Sequence, residues 1–277
     1  VGSEMCIRDS SQASPVQRNT MTENGLQSQL RGFGIDVGGS GIKGALVDLN
    51  TGQFIGERIR IATPKPATPD AVADVIAEIT HRFEWDGPVG ITLPSVIQQQ
   101  TAKTAANIDK SWIGTNVPDL FTHHLPGQEI TVVNDADAAG IAELHFGAAK
   151  DVEGLIVLLT FGTGIGSAVL YNGILVPNTE FGHFELDGMD AEAYASAAVR
   201  KREDLSWSEW AARVSTMLRG MEKFFWPELI IAGGGISRRY EKWMPDLDIR
   251  TPIVPTELRN QAGIVGAAYA AANGIRP

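Results

Sequence analysis

The sequence contains one cysteine, Cys6, in 277 residues. That excludes an internal disulfide framework and a cysteine-built zinc site. No apolar run approaches the roughly 18 residues that a membrane-spanning helix needs. Basic residues are in short supply: 23 Lys and Arg stand against 33 Asp and Glu, a net charge of −10. This balance argues against nucleic-acid and membrane-surface partners. It leaves an anionic small substrate open, because a cleft can be locally basic on an acidic surface. The first residues lack the charge, apolar run and small-residue order of a signal peptide. Together these absences fit a cytoplasmic enzyme.

What is present is 43% apolar content, enough for a real core. The length suits one large domain or two small ones sharing a cleft. Residues 1–31 have no apolar periodicity and are rich in Ser, Gln and Asn, the composition of a disordered tail. Their opening, VGSEMCIRDS, resembles a translated adapter or assembly scar, an expectation that puts the native start at Met21 and makes Cys6 foreign.

From Gly32 onward the pattern is mixed α/β. Residues 33–37 read as a buried strand, 45–49 as a second after a glycine turn, and 54–61, alternating in polarity, as a third. Thr68 is placed to cap a helix with Pro69 at its first position. Val72, Ile76, Ile79 and Phe83 give that helix one apolar face. Buried strands follow over 89–93 and 130–133, then a helix of small residues over 136–146 closed by Gly147. The opening theme then returns as a strand over 155–160, a glycine turn over 161–167, and a strand over 168–171 before Asn172-Gly173. The repeat reads as an internal duplication with two similar lobes, although unrelated hairpins would give the same order. Ser206 and Glu209 form a capping box, and Trp210, Val214, Met217 and Met221 a helical core face running to Pro227. A strand over 229–232 enters a third glycine turn, and a small-residue helix over 263–272 follows.

Three glycine turns, each directly after a buried strand, are the main chemical signal. Glycine lets backbone N–H groups converge on an anion without Cβ obstruction. Each turn alone is equally a tight hairpin; three suggest a polyanion lying across two lobes. GTGIGS departs from the dinucleotide fingerprint, since Ser167 stands where the third glycine or alanine belongs and a strand follows. The P-loop pattern is absent. A carboxylate beside a phosphate-cradling turn repels phosphate unless a cation intervenes, so Asp36 is expected to face Mg²⁺, directly or through water. Lys43 can neutralise phosphate or be a solvated strand residue. Asn134 and Asp135 close a strand at its carboxyl end, where α/β sheets bind ligands. Asp135 can accept a hydroxyl proton while Asn134 holds its neighbour; capping alone is the reading for Asp137. Glu180, His183 and Glu185 around Gly182 suggest sugar hydroxyls better than a metal, and Arg200-Lys201-Arg202 a solvated helix face.

IDVGGSGIKG, LTFGTGIGSA and IIAGGGIS together resemble the phosphate and nucleotide motifs of the ROK family (repressor, open reading frame, kinase) of sugar kinases. The resemblance runs from about Gly32 to the C-terminus. TAANIDKSWIGTN, VVNDADAAG, NTEFGHFELDG and FFWPELIIAGGGIS resemble the actinobacterial polyphosphate glucokinases within it. The implied fold is α/β, actin/hexokinase-like (ribonuclease H-like), duplicated into two lobes with a central cleft. The small lobe is expected over 32–134, joined by a C-terminal helix over 262–277, and the large lobe over 135–261. The resemblance implies transfer of phosphate to the 6-hydroxyl of glucose from inorganic polyphosphate, with ATP as a second donor, by a homodimer using Mg²⁺. It assigns Asp135 as the catalytic base and Asn107, Asn134, Glu180, His183 and Glu192 as sugar ligands. Gly38, Gly39, Ser40, Gly41 and Lys43 fall in the first phosphate motif. Gly162, Thr163 and Gly164 fall in the second, Gly234 and Gly235 in the third. Many members carry zinc-binding cysteines near Glu192; here they are missing, so no zinc is expected and His183 is free for sugar. A long donor would need further cations, for which Lys103, Lys110, Arg238 and Arg239 are candidates besides Lys43. The alternatives are a strictly ATP-dependent glucokinase or other hexokinase, such as one for mannose, and a sugar-sensing repressor. The last needs a helix-turn-helix domain that residues 1–31 are too short and polar to supply.

Overall fold

Two five-stranded sheets face each other across a pair of helices made of small residues. The computed structural model describes residues 31–277. The expected tail lies outside them, as do Cys6 and Met21; only Arg31 is described, and it opens the first strand.

The first sheet contains β1 (Arg31–Gly38), β2 (Gly41–Asp48), β3 (Phe54–Ile61), β4 (Val89–Leu93) and β7 (Ile130–Asn134), in the order β3-β2-β1-β4-β7. β1, β2 and β3 form an antiparallel meander, whereas β4 runs parallel to β1 and β7 parallel to β4. Between β4 and β7 lies a small hairpin of β5 (Ile97–Gln98) and β6 (Thr101–Ala102). The second sheet repeats the plan: β8 (Leu155–Phe161), β9 (Ile165–Tyr171) and β10 (Ile174–Val176) are antiparallel neighbours. Past the short pair β11 (Glu185–Leu186) and β12 (Met189–Asp190), β13 (Leu229–Gly233) and β14 (Ile253–Pro255) add parallel strands beside β8. Both sheets thus have a hairpin of the same sense on one side and parallel strands on the other.

Local chemistry explains the elements. The first helix, α1 (Pro69–Arg82), starts where Thr68 Oγ1 accepts the Ala71 N–H, and it buries Val72, Ile76 and Ile79 on the first sheet. α2 (Val117–His124) is capped by Asn116 and buries Val117 and Phe121. α3 (Asp135–Phe146) starts at the end of β7 and is buried nearly all round. α4 (Ala191–Ala195) and α5 (Ala197–Arg202) are short. α6 (Trp207–Glu222) has both halves of its capping box, and Trp210, Val214, Met217 and Met221 are buried along one face. It stops at Glu222, short of Pro227. Arg200 is not a solvated cation but lies over the Trp207 ring, 3.7 Å from its centroid.

α7 (Ala262–Ala272) packs on β1 and β4 and against α3. Glycine makes this approach possible: a Cβ on Gly266 would overlap the Ala138 carbonyl, and one on Gly34 the Ile264 carbonyl. α3 and α7 therefore form a close-packed layer between the sheets, with Ala45 and Val47 of β2, Ala142 of α3, Leu158 of β8 and Val265 of α7 in one shared cluster. The carboxyl ends of the parallel strands of both sheets open at one edge of this layer.

Candidate active site

That edge is a cleft of about 900 Å³. One wall comes from the first sheet. Asp36, near the end of β1, pairs in register with Lys43 of β2 and Thr92 of β4. Its two oxygens are both engaged: Thr92 Oγ1 donates to Oδ1 at 3.1 Å and Lys43 Nζ to Oδ2 at 2.9 Å. Lys43 therefore faces the cleft, as a neutralising cation needs to, but its partner in this structure is Asp36. Asp36 and Lys43 line the cleft; Gly38, Gly39, Ser40 and Gly41 do not. Their turn stands beside it, with Gly39 against Asn107, which does line it. Arg60 reaches across from β3 and donates to the Ser40 carbonyl at 2.8 Å. Arg60 is paired in register with Lys43, so the two cations are cross-strand neighbours.

Asn134 and Asp135 stand at the head of α3. Asn134 is the N-cap: its Oδ1 accepts from Ala136 N at 2.8 Å and from Asp137 N at 3.2 Å. Its Nδ2 donates to the Ser95 carbonyl at 3.0 Å, which fixes the amide's orientation. Asp135 is exposed to the cleft, with the walls of both sheets crowding its carboxyl. Its carboxyl is pushed up to about 6, first by loss of solvent and next by the charge of Asp36; the Ala136 N–H opposes this. A carboxylate poised near neutral pH is the state a general base requires. Capping is not the role of Asp137. Asn134 takes that place, and the Asp137 side chain turns away to accept from Asn178 N at 2.9 Å.

The other wall belongs to the second sheet. Its glycine turn is tighter than expected, since β9 resumes at Ile165 and includes Gly166 and Ser167. Gly162, Thr163 and Gly164 line the cleft, as do Gly233 and Gly234 but not Gly235. Gly234 has φ 81°, and a Cβ there would overlap the Phe161 carbonyl, so glycine joins the third turn closely to the second. Glu180, His183 and Glu192 line the same end. Glu192 Oε2 accepts from Ile165 N at 3.1 Å, and His183 Nδ1 lies 3.0 Å from Asp190 Oδ2. Asp190 holds the His183 imidazole above its ordinary value, with burial opposing and Glu192 adding to the rise. Burial raises the Glu180 carboxyl, against the pull of His183. The structure thus brings Asn107, Asn134, Asp135, Glu180, His183 and Glu192 to one cleft.

Arg259 and Thr256 also line it, and sequence reading missed both. Arg259 has φ 52° and follows Leu258, whose N–H is held by the buried Glu143 of α3 at 2.9 Å. Nothing local in the sequence announces that turn. Of the other cations considered, Lys103, Lys110, Arg238 and Arg239 do not line the cleft; Lys43 and Arg259 do.

A family model described as the ROK family matches residues 32–198, more than half of the chain. The chain belongs to the ROK family. It is 57% identical over 246 residues to a polyphosphate glucokinase of Mycobacterium tuberculosis, covering 89% of this chain and 93% of that protein. Among solved structures it resembles the inorganic polyphosphate/ATP-glucomannokinase of Arthrobacter sp. strain KM, with a TM-score of 0.82 and 48% identity over 87% of this chain and 98% of that one. A ROK glucokinase of Streptomyces griseus, solved with glucose and AMPPNP, shares the fold at a TM-score of 0.74 and 22% identity, over 87% of this chain and 99% of that one. The fold is that of the ROK sugar kinases, of the actin/hexokinase type.

Proposed function

We propose that this ROK protein transfers a phosphoryl group to the 6-hydroxyl of glucose, with inorganic polyphosphate as donor and ATP as a second donor. The observation that carries the reading is the placement of Asp135. It lines a cleft that also holds sugar-type hydrogen-bonding groups, glycine turns, Lys43 and Arg259. The names of the relatives in Mycobacterium tuberculosis and Arthrobacter support the acceptor and the donors, and the second supports mannose as a further acceptor.

In this reading Glu180, His183, Glu192, Asn107 and Asn134 hold the sugar hydroxyls, and Asn134 also keeps the loop at Ser95 in place beside them. Asp135 takes the proton from the 6-hydroxyl as the hydroxyl oxygen attacks the terminal phosphorus, and the bond from that phosphorus to the bridging oxygen breaks to release the shortened polyphosphate, or ADP. Such base catalysis is worth about 10²–10⁴-fold. The glycine-turn N–H groups, Lys43 and Arg259 stabilise charge on the transferring group. The contact of α3 with α7 joins the lobes expected to divide at 135 and 261, so closure that excludes water would move the wall segments and not hinge there.

The residues fit Mg²⁺. Asp36 and Asp135 both line the cleft at the carboxyl edge of the first sheet, and Lys43 would leave Asp36 Oδ2 for the donor as the ion takes its place. Mg²⁺ commonly uses one or two carboxylates, water and donor phosphates, without a protein cage. Asp36 would hold it, directly or through water, and when bound it would neutralise donor charge. We further propose a cytoplasmic homodimer. Phe224, 69% exposed, lines an apolar hollow together with Phe181, Phe184, Met217, Met221 and Phe225, and Trp226, 70% exposed, follows two residues on. One patch thus carries both a protrusion and a hollow, as a self-complementary two-fold contact requires.

The deciding assay measures glucose 6-phosphate formation by purified protein with polyphosphate and ATP as separate donors. Turnover with ATP alone would replace the donor assignment; turnover with neither would remove the kinase reading. Trp226→Glu should yield a monomer by light scattering if the patch is the dimer contact.

A further inference from the structure

The segment carrying Glu180 is tied down from two directions. Asn178, two residues earlier, has a left-handed φ of 59°, a conformation asparagine tolerates better than most residues. Its Oδ1 accepts from Ile97 N at 2.7 Å, and its Nδ2 donates to the Ile97 carbonyl at 2.6 Å. This is a two-point clasp on the backbone of β5, across from the second sheet. The Asn178 N–H in turn donates to Asp137 Oδ2. Asp137 lies in the first turn of α3, two residues after the proposed base. One asparagine therefore links the sugar-side loop, the head of α3 and the opposite wall.

Asp137 is a costly residue for a purely structural task. It is 0% exposed, and its Oδ1 has no hydrogen-bond partner among the described residues. Burying a carboxyl with half its acceptors unused carries a desolvation penalty. What the position gains is a single short bond to the backbone just before Glu180. On the far side of Glu180, the Phe181 N–H donates to Ser167 Oγ at 2.9 Å, and that hydroxyl donates to the Thr179 carbonyl at 2.6 Å. Glu180 is thus held between two fixed points, one on α3 and one on β9.

We propose that Asp137 and Asn178 are positioning residues for the sugar acceptor: they set Glu180 at a fixed place relative to Asp135 and fasten both to Ile97. The inference rests on Glu180 being a sugar ligand. It differs from a general stabilising role in one measurable way, because it acts through Glu180.

The experiment measures KM for glucose and for the donor in Asn178→Gly, Asp137→Ala, Asp137→Asn and Glu180→Ala, and in each of the first two combined with Glu180→Ala. Asn178→Gly keeps the left-handed backbone and the bond to Asp137 but removes the clasp on Ile97. It and Asp137→Ala should each raise the glucose KM about tenfold with the donor KM changed less than about twofold. Asp137→Asn, which still offers an acceptor to Asn178, should restore most of the affinity. In the Glu180→Ala background neither change should weaken glucose further. Additive losses, or equal effects on donor and glucose, overturn the proposal while leaving Glu180 a sugar ligand. An unchanged glucose KM in Glu180→Ala alone overturns the sugar-ligand assignment and the proposal with it. If Asp137→Ala does not fold, Asn178→Gly, altered at a half-buried side chain, decides the same question.

Discussion

Asp135 ties activity and stability to the same ionisation, and acidification reads both. Its carboxyl sits at about 6 instead of 3.8. A base at that value is roughly 90% ionised at pH 7 and roughly 10% at pH 5. The specificity constant for glucose should therefore fall about tenfold between those values. An ordinary aspartate would stay ionised throughout and give a flat profile. Running the series with both donors separates the enzyme's limb from donor titration, since only the former is common to both. The stability sign is opposite to that of a salt-bridged acid. The folded-state value lies above the unfolded one, so the favourable contribution is complete below about pH 4 and lost as pH rises through about 6. Full conversion of the shift gives about 3 kcal/mol. Water in the cleft screens an exposed carboxylate, and we expect about 1–2 kcal/mol. Asp135→Asn should thus be more stable than the parent at pH 7 by that amount, match it near pH 4, and lose about 10²-fold or more in turnover. Denaturant titrations at the two pH values measure the first effect and steady-state kinetics the second. A flat rate profile from pH 7 to 5, or a variant within a few-fold of parental turnover, would refute the assignment.

Glu180→Gln and His183→Ala should weaken glucose more than the donor, because a buried partner is left unpaired, and the ratio of the two KM values measures it. Zinc bound in equal proportion to protein and lost in His183→Ala would contradict the sugar role. Arg60→Ala should reduce use of long polyphosphate more than of ATP, since Arg60 continues the line from Lys43 past the first glycine turn; equal losses across chain lengths would show that the donor does not pass it. Rising salt should likewise weaken polyphosphate use more steeply than ATP use at fixed Mg²⁺. Gly266→Ala should cost about 1–3 kcal/mol or more, read as a fall in Tm, because the added methyl meets backbone and not a side chain that can move.

How much of this was legible depends on whether the cause was local. β3, α1 and β4 follow the boundaries that alternation, Thr68-Pro69 and Pro94 imply. The capping box at Ser206 is local too, and it formed. β2 and β9 begin earlier than expected because Gly41 and Gly166 join the ladder instead of the turn; pairing with a neighbour decided that. Asp137 was misread because a capping position near a helix start looks the same whichever oxygen is used. Its partner, Asn178, stands 41 residues away. Arg259 was missed for a related reason: its left-handed turn follows a segment held by Glu143, and no pattern around residue 259 shows it. Alternation and capping reveal elements, and glycine after a strand reveals a cradle, but cross-chain hydrogen bonds to buried carboxylates leave no periodic trace.

The helices between the sheets bear on which parts of the cleft can move. α3 carries Asp135 at its first position, and α7 lies on β1, which carries Asp36. Gly266 brings α7 onto the Ala138 backbone, and Gly34 brings β1 onto the Ile264 backbone. Contacts of this kind have no side chain between them to rearrange, so the two carboxylates belong to one rigid unit through α7. Glu143 extends that unit by holding the backbone N–H groups of Ala148, Glu257 and Leu258 at 2.8, 3.2 and 2.9 Å. Asn178 and Ser167 fasten the sugar-side loop to that unit on either side of Glu180, whereas His183 beyond them is held by Asp190 of its own loop. Closure around substrates should therefore move the segments bearing Asn107 and His183 while Asp36, Asp135 and, through Asp137 and Asn178, Glu180 keep their separations. That division suits phosphoryl transfer, in which the base and the donor charge must already be aligned when the acceptor arrives.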